Sequence, residues 1–111
     1  MLKKIFYISI ILFCIESTAN AIEEKLCVKY KTSYGWSQGY KVKAKVLKGY
    51  ELSKNTFTNE YNPFSEYVVI FWQTDQVTVI ELDNPFINFY GTKGKDKYGR
   101  KWLVSNNNYC Y

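Results

Sequence analysis

The side chains that most often carry out chemistry at neutral pH are scarce in this 111-residue chain, which contains three cysteines and no histidine. Histidine is the commonest general base near neutral pH and the commonest metal ligand. Its absence also removes every Ser–His and Cys–His nucleophile pair. Any chemistry must therefore come from cysteines, carboxylates, lysines or aromatic rings.

Two of the three cysteines are predicted to be joined in a disulfide. Cys14 lies in an apolar N-terminal segment that we expect to be removed, which leaves Cys27 and Cys110 in the mature chain. In an exported protein two cysteines have one intramolecular pairing, and closing so long a loop stabilises a fold by about 4–5 kcal/mol. Two free thiols or an intermolecular bridge are the alternatives. With the thiols bonded, we expect neither a cysteine nucleophile nor a thiolate metal site.

Carboxylates could still form the pair of acids that a glycoside hydrolase uses. In this sequence they are scattered singly, and Asp75 and Asp83 fit turn positions. We interpret the whole set as surface acids: Glu51, Glu60, Glu66, Glu81, Asp75, Asp83 and Asp96. The sequence therefore predicts no catalytic residue, no metal and no cofactor, and a secreted effector or small carboxylate-based hydrolase stays as the alternative function.

Lysines give the chain its clearest electrostatic pattern and contribute to a formal net charge of +5 at pH 7. Five of them alternate with apolar residues along two strand-like segments: Lys29, Lys31, Lys41, Lys43 and Lys45. Because side chains alternate between the faces of a strand, these five are expected on one face. Such a face suits anionic lipid head groups, cell-wall polymers or an acidic protein. The alternative is a solvated face that discourages edge pairing.

Aromatic residues are the second excess, with three Trp, eleven Tyr and seven Phe. Most are expected in the core, because small β domains fill their interiors with large side chains. Tyr34, Trp36 and Tyr40 cluster around one predicted loop, where Tyr and Trp are typical anchors of binding surfaces. We therefore add these three to the lysines as candidate binding residues. Nucleic acid is not an expected ligand of an exported protein, although single-strand binders share this composition.

Residues 1–21 have the pattern of a cleavable export signal. Lys3 and Lys4 precede an apolar run over residues 5–15, and small residues lead up to Ala21. The run is too short to cross a hydrocarbon core about 30 Å thick. We expect cleavage after Ala21, no lipid attachment, no transmembrane span in the mature chain, and a periplasmic or secreted location. A membrane anchor is the alternative.

The first predicted hairpin joins strands at residues 26–34 and 40–48 through a loop at residues 35–39. Its register should keep apolar residues on one face, since a slip of one residue would exchange the faces. The register that this rule favours aligns Tyr34 with Tyr40, Thr32 with Val42, Tyr30 with Ala44, Lys31 with Lys43, and Lys29 with Lys45.

The second predicted hairpin joins strands at residues 67–72 and 77–82 and is apolar on both faces. With Trp72 opposite Val77, one face carries Val68, Ile70, Trp72, Val77 and Val79, and the other carries Tyr67, Val69, Phe71, Ile80 and Leu82. One face should be core. The other requires cover, either from Leu52, Phe57, Tyr61 or Phe64 in the irregular residues 49–65 or from a partner, including a second copy of the chain.

The remaining segments complete a sheet of about six strands. We predict one helical turn near Leu52, strands at residues 86–90 and 100–105, and a Gly- and Lys-rich loop at residues 91–99. Short connections favour a small all-β antiparallel meander that forms a barrel or sandwich, closed by one disulfide. Residues 22–111 should form this single domain, because about 90 residues support one core.

These patterns together predict an exported, non-enzymatic binding protein with a rigid β scaffold, recognising a protein or an anionic component of the envelope. The Lys- and Asn-rich composition with a compact signal is typical of bacteria. In size and end-to-end disulfide, the predicted domain resembles bacterial periplasmic inhibitors of lysozyme, and this resemblance implies an inhibitor-like role without assigning any loop residue to it. A subunit of an envelope assembly is the second alternative.

Overall fold

The computed structural model describes residues 23–58, 60–73 and 75–111, so the predicted export signal lies outside the described residues. The elements in chain order are β1 (Glu23–Thr32), β2 (Gly35–Trp36), β3 (Tyr40–Lys48), α1 (Gly49–Thr56), β4 (Glu66–Gln73), β5 (Gln76–Leu82), β6 (Thr92–Lys95) and β7 (Lys101–Ser105). Six strands close an antiparallel barrel in the order β1–β3–β4–β5–β6–β7, and β7 pairs back to β1. The short β2 extends β1. The predicted all-β antiparallel fold is confirmed, and of the two predicted forms, barrel or sandwich, the chain adopts the barrel.

Apolar residues at alternate strand positions fill the barrel interior. The buried core consists of Leu26, Val28, Val42, Ala44, Val68, Ile70, Ile80, Leu82, Trp102 and Val104. Each large apolar side chain in such a core stabilises the fold by about 1.5–3 kcal/mol relative to exposure. Among the residues that the structure describes, no helix has the length and apolarity that crossing a membrane requires.

The first hairpin has the predicted faces but a different register. Val28 lies opposite Tyr40 and Leu26 opposite Val42, a shift of six positions from the predicted pairing. The chain reverses earlier than expected, because Thr32 pairs with Gly35 and the turn falls between them. Gly35 has φ 126° there, a conformation that favours glycine. Since the register shifts by an even number of residues, the apolar side chains of both strands still face the barrel interior.

In the second hairpin, the two faces of β5 are exchanged relative to the prediction. Val68 pairs with Ile80 and Phe71 with Val77, whereas the sequence predicted Trp72 opposite Val77. The ladder is irregular between Phe71 and Gln73, and an extra residue of this kind shifts the pairing by one. Ile80 therefore faces the core and Val77 the outside, so the predicted faces of β5 were wrong.

Helix α1 and the chain after it cover the outer face of this hairpin. Leu47, Leu52, Tyr67 and Val69 form a second buried cluster, against which Tyr61 packs. The predicted cover by residues 49–65 is thus confirmed through Leu52 and Tyr61, whereas Phe57 and Phe64 are 88% and 90% exposed. The helix is eight residues long, longer than the predicted single turn. Glu51 begins it by accepting the main-chain N–H of Lys48 at 3.2 Å.

The strand predicted at residues 86–90 is absent from the structure described for that segment, and β6 occupies part of the predicted loop instead. Asn88 Oδ1 accepts the main-chain N–H groups of Tyr90 at 2.9 Å and Gly91 at 2.7 Å. This local turn occupies donors that a strand ladder would need. Phe86 and Tyr90 are consequently exposed.

The predicted disulfide between Cys27 and Cys110 is confirmed, with 5.5 Å between the Cα atoms and 83 positions between the residues in sequence. It fastens the C-terminal residues to the outside of β1. Tyr111 O also accepts the main-chain N–H of Gly39 at 2.5 Å. A Cβ atom at Gly39 would lie 2.8 Å from Cys110 Sγ, so glycine permits the crossing.

Candidate functional site

The five predicted binding lysines all alternate with core positions on β1 and β3, but they are not paired as predicted. Lys43 lies opposite Lys25, and Lys45 lies opposite Glu23. The predicted Lys31–Lys43 and Lys29–Lys45 pairs are wrong because of the six-position shift. In the structure, Lys41 lies opposite Cys27, Lys29 opposite Leu103 and Lys31 opposite Trp36.

Lys45 does not belong to the exposed set. Its side chain is 4% exposed, and its strand neighbours are Glu23 on β1 and Val69 on β4. Because Val69 is part of the cluster covered by α1, Lys45 lies at the border of that cover. Because its side chain is buried, Lys45 contributes to packing as well as carrying a charge.

Further lysines extend the basic face around the barrel. Lys25, Lys93, Lys95 and Lys101 lie exposed on β1, β6 and β7, and Lys95 pairs with Lys101 across the β6–β7 ladder. The lysine surface, as we name it, comprises Lys25, Lys29, Lys31, Lys41, Lys43, Lys93, Lys95 and Lys101. Sequence analysis missed Lys93 and Lys95 because it assigned them to a loop.

The lysine surface has no ion pair among the residues that the structure describes. The one ion pair among the described residues joins Lys48 Nζ to Glu66 Oε2 at 3.6 Å, beside α1 and outside the lysine surface. Lys31 Nζ instead lies 5.4 Å from the centre of the Trp36 ring. The positive charge of this surface is therefore left for solvent or for a partner.

The three predicted binding aromatics are separated. Tyr34 is fully exposed in the turn between β1 and β2, and Trp36 contacts Lys31. Tyr40, in contrast, points into one open end of the barrel and meets Tyr30 and Trp72. The three side chains therefore have different surroundings, and their role in binding stays a prediction.

Tyr40 belongs to a closed ring of four aromatic side chains, which we name the aromatic mouth: Tyr30, Tyr40, Trp72 and Trp102. Neighbouring ring centres are 6.2 Å apart for Tyr30–Tyr40, 6.3 Å for Tyr40–Trp72, 6.3 Å for Trp72–Trp102 and 5.8 Å for Tyr30–Trp102. Each contact is within the range of favourable aromatic pairs. Four strands contribute one ring each, so the cluster exists only in the closed barrel.

Polar contacts hold the rings of the aromatic mouth in place. Trp72 Nε1 donates to Thr78 Oγ1 at 2.8 Å, and Trp102 Nε1 donates to Asp96 Oδ2 at 3.0 Å. A side-chain hydrogen bond with Tyr40 raises the pKa of Tyr30 above its usual value, because it favours the neutral phenol of Tyr30. Both indole N–H groups thus have partners. Trp72 is 36% exposed, Tyr30 and Tyr40 are half-buried, and Trp102 is buried.

A cationic side chain completes the mouth. Arg100 Cζ lies 5.2 Å from the centre of the Tyr30 ring, a cation–π geometry. The depression formed here has a volume of about 560 Å³, and Tyr98 lines its rim. Trp, Tyr and Arg are the residue types that dominate binding hot spots, so the mouth has the composition of a binding site.

The aromatic mouth continues into a second depression on the outer side of β5. That depression has a volume of about 420 Å³ and shares Thr78, Asp96 and Tyr98 with the first. Its far end is lined by Tyr61 and Tyr67, whose pKa values are raised by burial. We call the two depressions together the β5 groove.

Several carboxylates have structural contacts. Glu81 Oε2 accepts the Ser65 hydroxyl at 2.5 Å, Asp96 holds Trp102, and Glu51 caps α1. In the described parts of the chain, no group of three or more His, Cys, Asp or Glu side chains is placed to hold a metal ion. These acids therefore act in positioning other groups.

Sequence reasoning missed Tyr30, Trp72, Trp102, Asp96 and Arg100 as site residues. The strand positions of Tyr30, Trp72 and Trp102 were visible in the sequence, but their convergence at one end of a closed barrel was not. Comparison with family models, curated proteins and solved structures found no match. The function is therefore argued from the lysine surface and the β5 groove.

Proposed function

We propose that this protein is an exported, non-enzymatic binding protein, periplasmic or secreted, that recognises an anionic partner, either a protein or a component of the envelope. The observation that carries the proposal is the lysine surface, which has no ion pair among the described residues. Like charges directly opposite on a sheet cost stability, and Lys25–Lys43 is such a pair. Lys95–Lys101 is another, with Glu81 opposite Lys95 on its other side. Anionic groups of a partner would offset that repulsion.

The disulfide supports the exported location. Disulfides form and persist in oxidising compartments and are rare in the cytosol. The bond between Cys27 and Cys110 joins the first strand to the chain end, and the sequence pattern of residues 1–21 is that of a cleavable signal. Both features favour folding after export.

The residue types that most often carry out catalysis are absent or already engaged in structural contacts, which supports a binding role. The chain has no histidine, Cys27 and Cys110 are consumed in the disulfide, and Glu81 and Asp96 are engaged by Ser65 and Trp102. A rigid barrel with an exposed basic surface could act as an inhibitor does, by covering a surface of its partner. That inhibitor-like action is part of the proposal.

Charge reversal at the first lysine pair tests the proposal. Immobilised mature protein is incubated with envelope extract, and bound material is eluted with a salt gradient. Lys25→Glu with Lys43→Glu should lose the partner or release it at lower salt, because exposed charge pairs are screened over about 8 Å at physiological ionic strength. Lys54→Glu, on the exposed side of α1, should retain it and is compared with the single variant Lys43→Glu, which changes the net charge by the same amount.

The proposal is wrong if wild type and the double variant release the same material at the same salt concentration. Circular dichroism of both variants confirms that the barrel is intact. A loss shared by Lys54→Glu would also contradict it, because net charge and not the lysine surface would then be responsible.

A further inference from the structure

One edge of strand β5 is paired with β4 along nearly its whole length, and the other edge is paired with β6 along only part of its length. Its β4 edge is paired from Gln76 to Glu81. On the other edge β6 pairs with Glu81 and Leu82, and among the described residues no further main-chain hydrogen bond reaches residues 76–80 from that side. Such an edge presents N–H and C=O groups at the spacing of another polypeptide chain.

The edge is open because the chain turns away from it at Asp96. Asp96 Oδ1 accepts the main-chain N–H groups of Tyr98 at 2.9 Å and Arg100 at 3.0 Å, and β7 then returns along β6. The turn places Asp96 and Tyr98 beside Thr78 along the β5 groove. The opening is therefore a defined feature of the barrel.

The lining of the β5 groove suits the side chains of an added strand. Side chains of a strand alternate between its two faces, so one set would point to the aromatic mouth and the other to Tyr61 and Lys95 on the outer side. Aromatic rings with an adjacent Arg100 form the kind of pocket that anchors a large side chain. The volumes of about 420 and 560 Å³ lie in the range of binding pockets.

The charges that line the groove are balanced. Three basic side chains, Lys95, Lys97 and Arg100, stand beside three acidic ones, Glu60, Glu81 and Asp96. The groove is therefore expected to select a partner by its strand edge and its aromatic rings and not by net charge.

We propose that the β5 groove binds an extended segment of a partner polypeptide, which adds to the open edge of β5 as a strand and inserts one large apolar side chain into the aromatic mouth. This inference deepens the proposed binding function and rests on it. A single extended segment fits better than a second copy of this barrel, because the 96–100 turn borders the groove beside Thr78. It fits better than a saccharide, because only another backbone matches the hydrogen-bonding pattern of a strand edge.

Peptide selection provides the probe. Random peptides of about ten residues, long enough to span a strand edge, are selected on phage against the disulfide-bonded mature protein. We expect selected sequences to share one large apolar residue within a segment whose side chains alternate as in a strand. Trp72→Ala should lower their affinity at least about tenfold, as loss of a hot-spot ring does. Tyr109→Ala, which removes an exposed ring that lines neither depression of the groove, should leave affinity unchanged. A library without binders overturns the proposal.

Backbone methylation of a selected peptide tests strand addition on the unaltered protein, which removes any doubt about folding of a variant. Methylating an amide nitrogen that donates to β5 should weaken binding by about fivefold, the worth of one hydrogen bond. Methylation of the alternate amides should have little effect. Uniform sensitivity, or none, would mean that side chains alone bind and would overturn the inference.

Hydrogen exchange locates the peptide and separates this inference from its rivals. The amides of residues 76–80 that face the groove should exchange more slowly when a selected peptide is bound. Slow exchange without peptide, together with a doubled mass in solution, would overturn the proposal in favour of a second copy. If selection fails while charge reversal still removes the envelope partner, strand addition is wrong and the proposed function stands. If peptides bind while charge reversal changes nothing, the proposed function loses its anionic partner.

Discussion

Asp96 organises the part of the molecule in which the candidate site lies. One carboxylate oxygen accepts two main-chain N–H groups of the 96–100 turn, and the other accepts Trp102 Nε1 at 3.0 Å. The same residue therefore shapes the opening beside β5 and orients one ring of the aromatic mouth. Its position in a Gly- and Lys-rich segment made it look like a surface acid in the sequence.

Replacing Asp96 by Ala should lower the free energy of unfolding by about 2 kcal/mol, because hydrogen bonds to a charged group are lost and an indole N–H is left without its partner. Urea unfolding of the variant measures this change. Asp75→Ala, in the exposed β4–β5 turn, is the matched control and should stay within about 0.5 kcal/mol of wild type. Equal effects in the two variants would refute the role given to Asp96.

Individual residues differ in how far the sequence reveals them. Period-two alternation was enough to place Lys41 and Lys43 on the outside, because parity survives an even shift of register. Tyr30 and Trp102 belong to strands at opposite ends of the chain, and their contact depends on barrel closure. No local pattern contains that information, so most of the aromatic mouth could not be predicted.

At the scale of elements, turn geometry set the pairing registers, which the strand patterns alone did not determine. The early reversal at Thr32 and Gly35 moved the β1–β3 register by six, and the irregularity after Phe71 moved the β4–β5 register by one. Both depend on main-chain conformations at single positions. The existence of β1, β3, β4, β5 and β7 followed from their apolar patterns, whereas β6 is short and contains glycine, which weakens a strand signal.

Helix α1 should stabilise the barrel mainly through Leu52, which is completely buried against the outer face of β4. Leu52→Ala should lower the free energy of unfolding by about 2–5 kcal/mol, measured by urea unfolding, whereas the exposed Lys54→Ala should have little effect. A Leu52 variant as stable as the Lys54 control would show that the helix adds no cover.

Alkaline titration gives an independent check of the same cover. Burial raises the pKa values of Tyr61 and Tyr67 because it favours the neutral phenol. Their contribution to stability is complete below the unfolded value of about 10 and is lost as pH rises through the folded pKa. Leu52→Ala should move the absorbance titration of these phenols to lower pH, towards the usual value. An unchanged titration would contradict this account of their environment.

At the scale of the whole molecule, ring closure and the disulfide join the two ends of the chain. β1 pairs with β7, and Cys27 is bonded to Cys110 just beyond that ladder. The bond was predictable because only two cysteines remained to pair. The choice of a barrel over a sandwich was not, because it depends on strand tilt and twist that a sequence pattern does not record.

Removing the disulfide with Cys27→Ser and Cys110→Ser should lower the free energy of unfolding by about 2–5 kcal/mol, because the unfolded chain regains the freedom of a long loop. Urea unfolding with and without a reductant measures the change. Reductant should bring wild type down to the stability of the double variant and leave the variant itself unchanged. Equal stability of oxidised wild type and variant would contradict the structural role of the bond.

The salt dependence of partner affinity tests the central claim, that the lysine surface binds an anionic partner. The affinity of wild-type protein for the captured partner is measured by titration calorimetry from low salt to about 0.5 M, where the screening length falls to roughly 4 Å. The account predicts that affinity falls steadily as salt rises and that Lys25→Glu with Lys43→Glu flattens the dependence. An affinity that is the same at every salt concentration would contradict it.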